Sequence, residues 1–215
     1  ILRFLKDKAA VFFSFLSVII LLALYILFIG RSYTSGLPDA FPSELKTFLV
    51  VSLTMGGVLV INSMSLSLGI MGTFVEDMAH RNIDAFLVTP IKRWKVIASY
   101  YLSAIIVTSV LSLVMWGLTI GYVGISSGYW YSLSVIFKAS GLLIFYTFIS
   151  TSMMIFLVTL LKSINAFGAL SGVLGTFVGF TSGIYMPLAI LGKGMQYVAS
   201  VNPFTHMSVL LKQVL

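Results

Sequence analysis

Residues 9–29 read AAVFFSFLSVIILLALYILFI, an unbroken apolar run without one charged side chain. As a helix it is long enough to cross about 30 Å of hydrocarbon. The basic residues just before it, Arg3, Lys6 and Lys8, mimic the start of a signal peptide. The apolar run is too long for that role, and no small-residue cleavage site follows. We read it as a first membrane span. The whole chain has the same character: 59% of its 215 residues are hydrophobic, 9% are charged, and the mean hydropathy is +1.08. A soluble domain carries about 25% charged residues, so lipid must be the solvent for most of this surface. The expected fold class is all-α, a polytopic integral membrane helical bundle forming one domain over residues 1–215.

Further spans are expected over about 47–71, 96–123, 133–161 and 166–185, five in all. Gly36, Pro38 and Pro42 break the chain after the first span, and Pro187 stops the fifth. Tyr129, Trp130 and Tyr131, between the third and fourth, are aromatics of the headgroup-level kind. Residues 188–215 are interrupted by Gly192, Gly194 and Asn202-Pro203 and are only moderately apolar, so they read as short interfacial helices. A sixth span is expected beyond Leu215.

The net charge of +7 sits mainly between the apolar runs, where topogenic charge belongs, rather than in a nucleic-acid-binding patch. One set of loops carries Arg3, Lys6, Lys8, Arg81, Lys92, Arg93, Lys95 and Lys162. The other carries Arg31, Lys46, Lys138 and Lys193. The richer set is expected in the cytoplasm, which places the N-terminus inside, in a cell membrane of prokaryotic type. The absence of cysteine excludes a disulfide framework and any thiolate chemistry.

The longest charged stretch, Glu76 to Lys95, joins the second and third spans. Within it Ala79, Ile83, Phe86 and Leu87 recur at i, i+4, i+7 and i+8, one helical face, with Glu76, Asp77, His80, Arg81 and Asp84 largely on the others. A short amphipathic helix over about 76–90 is expected. It either rests among headgroups or docks into a groove on a partner.

The fifth span carries Gly168, Gly172, Gly175, Gly179 and Gly183, a narrow stripe containing three G-x-x-x-G pairs. Such a stripe permits close backbone approach, either within the chain or at a subunit interface. Asn62 lies mid-span in the second helix, where an interhelical hydrogen bond or a functional role would account for it. Lys138 can snorkel to the outer interface. No acid is expected at membrane depth, which argues against an ion-coupled secondary carrier. His80 and His206 are the only histidines and are expected on opposite sides of the membrane. There is no H-E-x-x-H, no G-x-S-x-G and no phosphate-binding G-x-x-x-x-G-K-[ST]. An enzyme is therefore not expected, and any ATP would have to bind another polypeptide.

Two stretches together resemble the permease subunits of type-2 ABC exporters. One is Glu76-Asp77, then Arg81, then Phe86-Leu87-Val88-Thr89-Pro90-Ile91-Lys92-Arg93-Trp94. The other is Ser182-Gly183-Ile184-Tyr185-Met186-Pro187 with Asn202-Pro203-Phe204-Thr205-His206. The resemblance covers nearly the whole chain. It implies six spans per subunit, two paired permease copies, and a cytoplasmic ABC ATPase docked on a coupling helix. That helix would comprise Glu76, Asp77, Ala79, Arg81, Ile83, Phe86 and Leu87. It implies ATP and magnesium on the partner subunit and no cofactor on this chain. It also implies a central cavity bordered by the second and fifth helices and re-entrant external helices after the fifth. Met55, Val58, Asn62, Phe177 and Phe180 are the expected cavity residues, and their apolar character suggests hydrophobic or amphipathic cargo: a drug, a peptide or a lipid-linked compound. The alternatives are a membrane scaffold that transports nothing and a secondary carrier.

Overall fold

A computed structural model describes residues 12, 16, 20, 42–84, 91–161, 163–183, 188 and 192–215. All its elements are helices: α1 (Ser43–Ala79), α2 (Arg93–Ser127), α3 (Leu133–Thr159), α4 (Ile164–Thr181), α5 (Lys193–Val201) and α6 (Pro203–Val214). Among the described residues, α1 to α4 are long and apolar enough to cross a membrane. They correspond to the second to fifth expected spans, with ends extended by up to eight residues or trimmed by up to four. The first expected span lies outside the described residues, apart from Phe12, Leu16 and Ile20, which are helical.

The bundle is organised around α1. Of its most apolar stretch 78% is buried, against 44% for α2, 39% for α3 and 17% for α4. Helices α2, α3, α4 and α6 all pack on it. A helix surrounded in this way needs apolar side chains on every face, and α1 has them: Val51, Met55, Leu59, Met64 and Met71 are all fully buried. It also needs small residues where neighbours come closest. A Cβ on Gly56 would lie 2.9 Å from Lys212 Cγ of α6, and one on Gly72 2.9 Å from Phe167 Cε1 of α4. Gly56 lets α6 seat against the α1 backbone, and Gly72 leaves room for the Phe167 ring of α4.

Hydroxyl pairs set the register between helices. Ser67 Oγ and Thr151 Oγ1 are 3.0 Å apart across α1 and α3, and Ser109 Oγ and Thr147 Oγ1 are 2.7 Å apart across α2 and α3. At the end of α1 nearest Ser43, Ser52 Oγ lies 2.6 Å from the Tyr131 hydroxyl. Tyr131 is thus turned inward, stacked between Phe48 and Trp116 at 5.2 and 5.3 Å. Tyr129 and Trp130 stay exposed, as expected of headgroup-level aromatics. Each of these hydrogen bonds is worth only about 0.6 kcal/mol within a membrane; their spacing along α1 matters more than their strength.

The tail forms two helices of unlike exposure. Helix α5 is exposed and amphipathic, as expected, with only Ala199 buried. Helix α6 packs inward: Phe204, Met207 and Leu211 are buried in the common core with α1. Its hydropathy is modest because one face is polar, and that face points at another helix rather than at water.

Gly56→Val should push α6 off α1 and cost about 1–3 kcal/mol. Gly69→Ala, where nothing lies within 4 Å of the new methyl, should leave stability unchanged or raise it by up to about 1 kcal/mol. Thermal unfolding in detergent micelles checks both.

Candidate functional site

At the lysine- and arginine-rich end of the bundle, α1 stops in a tight turn. His80 N–H donates to Glu76 O, Arg81 N–H to Met78 O and Asn82 N–H to Asp77 O. The last two bonds are those of a Schellman cap. The cap requires a left-handed residue just past the helix end, and Arg81 fills it with φ 58°. The helix expected over 76–90 is therefore not continuous. Glu76 to Ala79 finish the membrane helix, and Ile83 follows a reversal of the chain, so Ala79 and Ile83 do not share one helical face. The apolar periodicity was real, but the left-handed Arg81 breaks its phase. Phe86 and Leu87 lie outside the described residues.

The acidic pair divides its work. Glu76 is exposed, whereas Asp77 is 4% exposed. Asp77 Oδ1 accepts from Asn82 Nδ2 at 3.0 Å, and Oδ2 accepts from the Tyr100 hydroxyl at 2.7 Å. Tyr100 also stacks edge-on against Phe74 at 5.1 Å. One carboxylate thus ties the turn to α2. The outer surface of this elbow offers Glu76, Ala79, His80, Arg81 and Asp84 to solvent, and Ile83 is half-buried against the core.

A second polar cluster closes the other end of α4. Asn202, Thr205, Ser208 and Lys212 lie at spacings of three, three and four, one stripe along α6. Asn202 Nδ2 donates to Thr181 Oγ1 at 2.6 Å and Thr205 Oγ1 to Thr181 O at 3.0 Å. Ser208 Oγ donates to Ser182 O at 2.9 Å, and Lys212 Nζ to Ser182 O and Gly183 O at 3.2 and 3.4 Å. These are the carbonyls a helix leaves without partners at its C-terminus, and an ammonium also suits the negative end of the helix dipole. Asn202 caps α6 as well, accepting from Phe204 N–H, with Pro203 at the first helical position. The sequence reading missed Lys212; its three- and four-residue spacing from Asn202, Thr205 and Ser208 was the available signal.

The expected cavity residues do not meet on one surface. Met55, Val58 and Asn62 are enclosed by this chain's own helices, at 0%, 2% and 4% exposure. Phe177 is on the open side of α4 at 38% exposure, and Phe180 is half-buried. Asn62 Nδ2 has no hydrogen-bond partner, so the expected interhelical bond is not made by that nitrogen. The registers set by Ser67–Thr151 and Ser109–Thr147 bring Asn62 to the level of Tyr146 and Ser112. Tyr146 OH, Ser112 Oγ and nearby Thr108 Oγ1 are likewise buried and unpartnered. The middle of the bundle therefore holds polar atoms from three helices that lipid cannot satisfy. Of the glycine stripe, Gly168, Gly172 and Gly175 have nothing within 4 Å of a would-be Cβ, while Gly179 is buried. Among the described residues, no three His, Asp or Glu side chains converge as a metal site would require.

Among the described residues, four helices long and apolar enough to cross a membrane, packed side by side, define a polytopic α-helical membrane protein. The model of the family described as ABC-2 type transporter matches residues 1–215, and the chain belongs to that family. Comparison with curated proteins and with solved structures returned no match. The chain is accordingly a transmembrane component of a transporter, and its family implies an ABC ATPase as partner.

Three substitutions probe this geometry. Arg81→Gly should relieve the left-handed strain and raise stability by about 1 kcal/mol, whereas Asp77→Ala should cost about 1–3 kcal/mol by removing the acceptor of the Asn82 amide and the Tyr100 hydroxyl; chemical unfolding reads both. Asn62→Leu removes an unpartnered buried amide, so the melting temperature should hold or rise. Any loss of transport at that unchanged stability then marks Asn62 as functional.

Proposed function

We propose that this chain is the permease subunit of an ATP-driven exporter, working by alternating access between two permease copies in the cell membrane. The observation that carries the reading is the elbow between the second and third expected spans, in a chain that matches the ABC-2 family throughout its length. Asp77 and Tyr100 join the end of the central helix to α2, so a push on the elbow's outer surface moves both helices together. The ATPase docks there on Glu76, Ala79, Arg81 and Ile83, with Phe86 and Leu87 completing the apolar contact. ATP and magnesium bind to that partner.

The open face of α4 supports the pairing of two copies. Gly168, Gly172 and Gly175 leave its backbone uncovered by the described residues, and a second permease copy is the proposed neighbour. The cargo path runs along the same helix toward Val173 and Phe177, both exposed. Met55 and Val58 contribute only in a state where α1 and its neighbours separate. A pathway of this lining suits hydrophobic or amphipathic cargo. Discrimination between inward and outward states must come from cargo contacts that differ between them.

Co-purification with the cognate ATPase tests the docking surface. Wild type should retain the ATPase, and Glu76→Lys combined with Phe86→Asp should lose it with the helical content unchanged. An ATPase that never binds, or that binds the variant equally well, overturns the assignment and favours a scaffold. Uptake into inverted vesicles tests the cargo: ATP-dependent movement confined to small hydrophilic ions would exclude the amphipathic reading.

A further inference from the structure

A groove of about 340 Å³ opens between α2 and α3 on the face of the bundle away from α1. Trp94, Ile97, Ala98 and Tyr101 line it from α2, and Ser152 and Ile155 from α3. The α2 positions are i, i+3, i+4 and i+7, one stripe along the helix. Ala98 and Ser152 are small where their neighbours are large, and that difference creates the hollow. At its inner end the Tyr101 hydroxyl meets Ser152 Oγ at 2.7 Å, and the Tyr101 ring packs edge-on against Phe148 at 6.1 Å. The surrounding surface, Leu102, Ile106, Phe148 and Phe156, is apolar and at least half exposed, so none of the described residues shields the groove from hydrocarbon.

The other end of the groove is charged. Trp94, 63% exposed, begins α2 between Arg93 and Lys95, with Lys92 just before. All three cations are exposed. No acid lies in the first turn of α2, and none anywhere in α3. From Arg93 to Tyr101 the helix rises about 12 Å. The cations therefore sit at headgroup level while Ala98 and Tyr101 lie within the acyl region, with the Trp94 indole at the boundary such rings prefer.

We propose that this groove is a selective site for an anionic glycerophospholipid of the leaflet that faces the basic loops. One acyl chain lies along Ala98 and Ser152 as far as the Tyr101–Phe148 pair, and Lys92, Arg93 and Lys95 hold the phosphate. A zwitterionic lipid fills the same hollow but gains less from the three cations. The site requires nothing of the transport cycle and would be present whether or not the chain carries cargo.

Tryptophan quenching by brominated lipid tests it. The protein and its Trp94→Phe variant are reconstituted in phosphatidylcholine vesicles containing, at equal mole fraction, acyl-brominated phosphatidylglycerol or acyl-brominated phosphatidylcholine. The difference between the two proteins isolates Trp94 from Trp116 and Trp130. Phosphatidylglycerol should show at least about a five-fold greater relative affinity. Filling the groove with Ala98→Leu, or with Ile97→Phe if the first lowers the yield of folded protein, should abolish the preference. So should the triple variant Lys92→Gln, Arg93→Gln, Lys95→Gln. Equal quenching by both lipids overturns the site. A preference that survives groove filling but not charge removal also overturns it, because the basic loop would then merely attract an anionic surface.

Discussion

Hydrocarbon offers a buried helix no hydrogen-bond partner, and the structure follows from how α1 meets that constraint. Its polar side chains bond back to its own carbonyls, as Ser63 does to Val60 O, find partners on neighbouring helices, or go without. Ser52 finds Tyr131 near one membrane face, Ser67 finds Thr151 in the middle, and Asp77 finds Tyr100 near the other. Three helices or connections are thereby fixed to α1 at three depths. Apolar packing fills the intervals but would tolerate sliding. The polar pairs do not, because a slip of one residue parts the paired atoms and sets them against apolar side chains of the core.

The same constraint explains the unusual end of α4. That helix is short, and its last carbonyls would emerge in a region still surrounded by other helices. The polar stripe of α6 supplies donors to Thr181, Ser182 and Gly183 in turn. A segment that looks weakly amphipathic by composition is thus a fitted partner for one particular helix end. The unpartnered atoms of Asn62, Ser112 and Tyr146 are the counter-example. Here the bundle leaves polar groups unsatisfied at its centre, the kind of local inconsistency that sequences retain for function more often than for stability.

Much of this was legible without coordinates. Span positions follow from uninterrupted apolar length, which no competing structure imitates, and four of the five expected spans coincide with described helices. The elbow was half legible: its charged residues were singled out, but helical periodicity cannot reveal that Arg81 adopts a left-handed conformation more usual for glycine. The inward face of α6 was not legible, because hydropathy counts polar atoms without knowing whether water or a helix terminus receives them. The expected cavity residues illustrate a further limit. Periodicity places Met55 and Val58 on a helix, but whether their face meets a cavity or a neighbouring helix depends on long-range packing.

The bonds at Ser52 and Asp77 are separated by about 38 Å along α1. Because each ties α1 to another part of the bundle, that distance acts as a gauge. A bilayer thinner than the gauge cannot be accommodated by tilting α1 alone, since tilt would break one bond or the other. The helices would have to lean as a group, or the lipid would have to stretch around them. The response to bilayer thickness is therefore a property of the clasped bundle and not of α1 alone.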